Sequence, residues 1–512
     1  MIARLSRILN DPIGRVRFDR WAPTIVVLLA AFLRFWNLGY PHKLVFDETY
    51  YVKDAWTLSH LGYEANWLND ANAAFEGGDP TQFATAPSFV VHPPLGKWLI
   101  SIGMNLFGPQ NSWSWRIVCA LFGVLAVVLL MLVAKLLMKS TLWAVVAGFL
   151  FAIDGHAIVL ARTALLDNFL MFFVLLAFYF LLRDREAVEI ELARRSADQA
   201  WMGVIWNRWW LIATGVALGA ATAVKWSGLY FALAFGLYTV ISETLLRRRI
   251  YKSGIGRSDW LLTGVAGQGV ANFILMIPIA FLTYLSTWTG WLVTKGGFDR
   301  GWADSVDRQA TGFWSWMPTS LQSLWQFHKE AYGFHLGLHT PHSYASSPLT
   351  WLFLWRPTSF FYEGSVQGDP GCNTYTSCSS AITALGNPLI WLGATAAVLY
   401  LTYRYFRTGD RIIGLILLGV AAGYLPWMMY LQRTVFQFYV IAFEPWMILA
   451  LVFALRSMLK AEKGFYWRKT ANRIAIFLLL TTVVSVYFYP IWTGITVPYW
   501  FWLSHMWLPT WI

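Results

Sequence analysis

Asp47 and Glu48 stand side by side in the stretch Leu44 to Asp54, directly after the first long apolar run of the chain. Ionisable groups at a membrane boundary are costly unless solvated, paired or used, so the pair is either a functional site or a hydrated loop. A carboxylate there can take a proton from an incoming hydroxyl, with Asp47 the first candidate and Glu48 the second. Other charges survive inside or at the edges of apolar runs: Arg34, Arg116, Asp154, Arg162, Asp167, Lys225 and Arg433. A guanidinium matches phosphate oxygens bidentately. Arg116, Lys225 and Arg433 are therefore candidates to hold a lipid-linked phosphate, with a buried structural ion pair as the alternative for each. A phosphate leaving a sugar carbon needs no protein acid. One base and one cationic phosphate site then suffice for a single displacement with inversion. A base ionised near neutral pH implies a neighbouring cation that lowers its pKa.

The remaining candidates are weaker as single residues. Asp167 with Arg162, and Asp154, read first as helix-end charges and only second as a site. His92 and His342 line an acceptor path or are solvated loop histidines. Tyr50 and Tyr51 stack on sugar or are interface aromatics. Lys97 heads a short apolar segment beside His92-Pro93-Pro94.

These residues have to be positioned by membrane helices. The chain has 512 residues, 57% hydrophobic and 13% charged, against roughly 25% charge in soluble domains. Apolar runs of spanning length lie at about 22–38, 112–134, 141–158, 162–182, 207–224, 227–246, 260–286, 386–403, 411–429, 434–455 and 473–491. That predicts an all-α polytopic membrane protein with about 11 transmembrane helices. Of the 39 Lys and Arg, 26 fall in segments that place the N-terminus, residues 1–21, in the cytoplasm and the C-terminus, 492–512, outside; Arg4, Arg7 and Arg257 are among them. Arg4 to Arg20 lead into a full-length span, so no cleavable signal peptide is expected. The net charge of +12 lies between the apolar runs, as orientation signals do, and does not point to nucleic acid. Two outer loops are long, 39–111 and 287–385, flanking cores at 112–286 and 386–491. Pro93-Pro94 marks a helix start, and the segment from Leu95 to Phe107 suits a helix lying in the interface. Cys372 and Cys378 make a small disulfide loop plausible if exported, with free thiols as the alternative; Cys119 reads as a packing residue. Gly215 and Gly219 suit close helix packing.

At the motif level the chain resembles the protein O-mannosyltransferases. The resemblance rests on Phe46-Asp47-Glu48-Thr49-Tyr50-Tyr51, His92-Pro93-Pro94-Leu95-Gly96-Lys97, Trp115-Arg116 and Arg162-Thr163-Ala164-Leu165-Leu166-Asp167. It continues through Val224-Lys225-Trp226-Ser227-Gly228-Leu229, His342-Ser343-Tyr344-Ala345-Ser346-Ser347-Pro348, and Tyr424-Leu425-Pro426-Trp427 with Arg433-Thr434-Val435-Phe436 and Pro445. These segments run in the family's order along most of the chain. The resemblance implies a glycosyltransferase C (GT-C) fold, a polyprenyl-phosphate mannose donor, and Ser/Thr hydroxyls of unfolded secretory polypeptides as acceptors. It implies a bacterial plasma-membrane enzyme with its site facing outside, working in the bilayer near the translocation channel. The second loop has no room for the β-trefoil domain of eukaryotic members, which places the chain in the bacterial, actinobacterial-type branch. Gln437-Phe438-Tyr439 also stands where many eukaryotic members carry histidines.

No cofactor is expected, because the lipid-linked sugar is itself a substrate. No metal is expected either, since nothing supplies a clear third ligand beside Asp47 and Glu48. The rival readings are a GT-C enzyme acting on a lipid or glycan and, from another class, a transporter. Against the transporter stand the absence of an inverted repeat and charges that lie toward one face.

Overall fold

The computed structural model describes residues 11–197, 203–254 and 259–512; Arg4, Arg7 and Arg257 lie outside the described residues. The principal helices are α1 (Pro12–Phe35), α2 (Glu48–Leu61), α3 (Leu95–Phe107), α4 (Ser112–Met138), α5 (Thr141–Ile153), α6 (Gly155–Arg162), α7 (Asp167–Ala197) and α8 (Trp209–Val224). They continue with α9 (Gly228–Lys252), α10 (Trp260–Ser286, with a π-helical turn), α11 (Thr319–Gly337), α12 (Pro388–Thr408), α13 (Arg411–Tyr424), α14 (Glu444–Lys460) and α15 (Gly464–Thr493). Among the described residues five helices are individually long and apolar enough to cross a membrane, and a sixth span results if the bent pair α5–α6 is taken as one.

Local signals explain many of the helix starts. Asp11, Asn387 and Asp410 cap α1, α12 and α13 by accepting from backbone N–H groups of the first turn. Pro94 precedes α3 as expected. The centre of the bundle is built from helices that are apolar on every side: α6 is buried throughout, and so is α14 from Glu444 to Ala454. Gly215 and Gly219 of α8 face the backbone of α10, where a Cβ on Gly215 would lie 2.6 Å from the carbonyl oxygen of Met276. Those glycines do serve close packing.

Three expected helices are revised by tertiary contacts. The run 141–158 bends by 62° at Asp154. The Asp154 carboxylate accepts from the N–H groups of His156 (3.0 Å) and Asn387 (2.9 Å), capping α6 instead of letting α5 continue. The run 162–182 is not helical until Asp167, because the Ala164 N–H donates to a Glu48 carboxylate oxygen at 2.8 Å rather than to a helix carbonyl. The run 434–455 becomes α-helical only at Glu444, where Pro445 sits in the first turn; Gln437–Ala442 before it is 3₁₀.

Two small antiparallel sheets amend the all-helical expectation. β1 (Ala65–Trp67) pairs with β2 (Phe83–Pro87) within the first long loop. In the second, β3 (Thr358–Val366), β4 (Ser377–Ala384) and β5 (Val497–Pro498) lie in that order, and a disulfide ties Cys372 of the β3–β4 connection to Cys378 of β4. The two loops pack on each other at one end of the bundle: the Trp98 indole N–H donates to the Thr287 carbonyl at 3.2 Å, and a His335 ring nitrogen lies 3.1 Å from the Val91 carbonyl.

Candidate active site

Residues 44–47 make the turn that leads into α2. Phe46 takes φ 49°, the left-handed region, which costs a bulky residue on the order of 1 kcal/mol. Aromatic packing holds it there. Its ring stacks on Phe360 at 4.7 Å and meets Phe438 (5.6 Å), Phe436 (5.9 Å) and His342 (6.3 Å) edge-on.

Past this turn the two adjacent carboxylates take opposite directions. Glu48 is fully buried and accepts from Arg116 at 2.8 and 2.7 Å, from the Val45 N–H at 3.0 Å and from the Ala164 N–H at 2.8 Å. Arg116 spends its other N–H groups on the carbonyls of Leu38 (3.3 Å), Pro41 (2.9 Å) and Lys43 (2.8 Å). All five guanidinium donors are thus engaged. In this geometry Glu48 and Arg116 fasten the loop to α4, and neither offers a free oxygen or N–H to a substrate.

Asp47 stands at the N-cap of α2, yet its side chain makes no capping bond. It is half-buried, near Tyr51 and in the field of Lys225 and Asp167. Lys225, at the end of α8, pairs with Asp167 at 2.7 Å and lies 4.9 Å from the Tyr439 ring centroid. Burial raises the Asp47 pKa to about 6; Lys225 pulls it down, Asp167 pushes it up and Tyr51 pulls it down. The expected neighbouring cation is present, but desolvation outweighs it.

A cationic wall lies nearby. Arg433 donates to a His335 ring nitrogen at 3.1 Å, its buried Nε has no partner, and it has no carboxylate within ion-pair distance among the described residues. His335 is held down to about 4, first by burial and then by Arg433, and His92 is pushed well below its usual value by burial and by the surrounding cations Lys225, Lys97 and Arg433. Both rings are neutral at pH 7. They pack 5.4 Å apart, and Tyr51 meets His92 at 6.1 Å.

Other expected site residues fall elsewhere. Lys97 is buried against Glu64 and donates to the His92 carbonyl at 3.2 Å, so it holds α3 and the first loop together. Arg162 donates to the carbonyls of Leu33 (3.4 Å), Arg34 (3.1 Å), Trp36 (2.7 Å) and Asn37 (3.1 Å), closing the C-terminal end of α1, where a cation is favoured. Tyr50 is 64% exposed, whereas Tyr51 is half-buried beside His92. His342 is exposed, 5.0 Å from the Phe436 ring, and accepts from the Tyr344 N–H at 3.1 Å.

The structure thus brings together Asp47, Tyr51, His92, Asp167, Lys225 and Arg433, and adds His335 and Tyr439. His335 shares a face of α11 with His328, one heptad away, and both rings contact Trp226. That spacing was readable, but the segment read as a loop. Among the described residues no three His, Cys, Asp or Glu side chains converge as a metal site would need.

Residues 83–293 match the sequence profile of dolichyl-phosphate-mannose-protein mannosyltransferases, and residues 320–511 match that of the C-terminal four-transmembrane region of protein O-mannosyltransferases. A polyprenol-phosphate-mannose–protein mannosyltransferase of Mycobacterium tuberculosis is 34% identical over 98% of this chain and 93% of its own length. A protein of the same description from Corynebacterium glutamicum is 29% identical over 97% and 94%. A solved S. cerevisiae protein O-mannosyltransferase complex bound to the sugar donor superposes with TM-score 0.68 at 16% identity, over 96% of this chain and 92% of that one.

Proposed function

The chain belongs to the protein O-mannosyltransferase family, and from that premise we propose that it transfers mannose from polyprenyl-phosphate mannose to Ser/Thr hydroxyls of unfolded exported polypeptides. As a family member it is a multi-pass membrane glycosyltransferase. The reading further takes it as a plasma-membrane enzyme of about eleven spans whose site faces outside, where nucleotide sugars are not available.

The observation that carries the mechanism is a carboxylate, Asp47, spared from capping its own helix and set in the field of Lys225. Asp47 takes the proton of the acceptor hydroxyl as the oxygen attacks the anomeric carbon. The C–O bond to phosphate breaks on the opposite face, with inversion, and the polyprenyl phosphate leaves with the bonding pair. Arg433 binds the phosphate with its spare N–H donors, and Lys225 adds positive charge while it orients Asp167. Neutral His92 contributes a hydrogen bond, and His335, whose ring nitrogens are taken by Arg433 and the Val91 carbonyl, positions Arg433. No metal takes part in this reading, so EDTA is expected to leave the rate unchanged; loss of activity restored by added divalent ions would overturn it.

Two further outcomes are expected. The base must be ionised, and Asp47 titrates near 6, so kcat/KM is flat above about pH 7 and falls tenfold per unit below 6. A profile still flat at pH 5 would remove Asp47 from that role. Arg433→Ala should raise the donor KM roughly 10- to 100-fold, the worth of charge-assisted hydrogen bonds; an unchanged donor KM would place the phosphate elsewhere. The overall reading is tested with purified enzyme, radiolabelled polyprenyl-phosphate mannose and a Ser/Thr peptide. Label appearing in a lipid or glycan, and not in the peptide, would keep the fold and overturn the acceptor.

A further inference from the structure

The strand β3 is nine residues long, Thr-Ser-Phe-Phe-Tyr-Glu-Gly-Ser-Val, and pairs on one side only, with β4. Among the described residues its other edge has no strand beside it. An unpaired edge is a row of N–H and C=O groups able to template another extended chain, and proteins usually blunt one with proline, lysine or a short strand. β3 carries no proline and no lysine, and its stretch from Tyr362 to Val366 is mostly exposed. Its single charge, Glu363, is matched by Lys43 at 2.8 Å.

The strand is also tied to the turn that carries the base. A register shift between Ser359 and Phe361 marks a bulge at Phe360, and bulges re-aim side chains. Here Phe360 lies flat on Phe46, the residue before Asp47. Lys43 reaches Glu363 and lies 6.0 Å from the Phe361 ring centroid. Residues 43–46 therefore run along one face of β3 and make no backbone hydrogen bond to its edge among the described residues; at the far end the Val366 N–H is held by the Asp369 carboxylate at 2.8 Å. The buried end of the strand is beside Asp47, and the exposed end runs roughly 20 Å away from it, at about 3.3 Å per residue.

We propose that the acceptor polypeptide binds by adding a strand to the free edge of β3, which brings an alternate Ser or Thr side chain to Asp47. The inference rests on the protein-mannosylation reading. An unfolded polypeptide is the ligand whose chemistry complements this edge, because a row of backbone donors and acceptors needs a matching row. Main-chain bonds give affinity with little regard to side-chain identity. A segment already folded into a helix has no free N–H or C=O row to offer and is rejected.

The test uses the full-length enzyme in detergent, polyprenyl-phosphate mannose, and a short peptide with a single Thr. In one series a backbone N-methyl group is walked along the peptide. The peptide KM should rise about tenfold at every second position, the order expected for one lost hydrogen bond, with kcat little changed. In a second series Glu363→Cys or Val366→Cys is challenged with peptides carrying cysteine at successive positions. Neither position faces a native cysteine: Cys378 lies opposite Ser365 and is joined to Cys372, and Cys119 is buried. Disulfide capture should alternate along the peptide, with opposite phase for the two variants, and Val306→Cys, exposed on another part of the loop, should give no alternation. If wild type mannosylates the peptide but N-methylation or capture shows no period of two, docking on β3 is overturned and the enzymatic reading stands. If wild type labels no peptide, both fall.

Discussion

Asp47→Asn is expected to abolish nearly all peptide mannosylation, lowering kcat by two or more orders of magnitude while the protein stays folded. The amide keeps the size of the side chain and cannot accept the hydroxyl proton. Little stability rides on the charge: Asp47 makes no capping bond to α2, and Lys225 keeps its partner Asp167. The folded yield and the thermal midpoint should therefore stay close to wild type, and binding of the donor lipid should persist. A fully active Asp47→Asn enzyme would sink the assignment, and the next carboxylate to test would be Asp167, held by Lys225.

Arg116→Met should show the reverse pattern. It leaves Glu48 charged and fully buried with no cation, and it strips the donors from three loop carbonyls. Removing one partner of a buried pair costs about 3–5 kcal/mol, a large fraction of the stability of an ordinary domain. Folded yield and the thermal midpoint should drop sharply, as should those of Glu48→Gln to a smaller degree. Whatever enzyme remains folded should keep the wild-type donor KM. A well-folded Arg116→Met enzyme with a weakened donor KM would instead make Arg116 a phosphate ligand.

The contrast between the two variants also explains what could be read from the chain alone. Asp47, Lys225, Asp167 and Arg433 were visible because charge in apolar surroundings is conspicuous, and close glycine packing in α8 was visible from composition. Partnership was not. Arg116 and Arg433 are equally noticeable as letters, but one is saturated by Glu48 and three carbonyls while the other is left with unused donors, and only the fold decides which. The helix limits failed where a side chain took over a backbone bond, as Glu48 does at Ala164 and Asp154 does at His156. α11 was missed because its apolar residues are interrupted by glycines and histidines, so it read as a loop, and His335 went with it. The turn at Phe46 left no sequence signal, since a bulky residue in the left-handed region is sustained by rings that come from three distant parts of the chain.

Because neighbouring residues 47 and 48 serve opposite duties, chain length between the first span and α2 is a fixed quantity. Gaining one residue among 44–46 would hand the buried arginine an aspartate too short to reach it, and losing one would put a glutamate in the place of Asp47 and leave the arginine facing Thr49. Surface loops normally absorb such insertions and deletions with ease. Here a change that alters no functional residue would disable both at once. Lineages of this enzyme should therefore vary the length of the segment around Val306 to Trp316, whose hydrophobic side chains are largely exposed, far sooner than that of 44–46, and an epitope tag is better placed there.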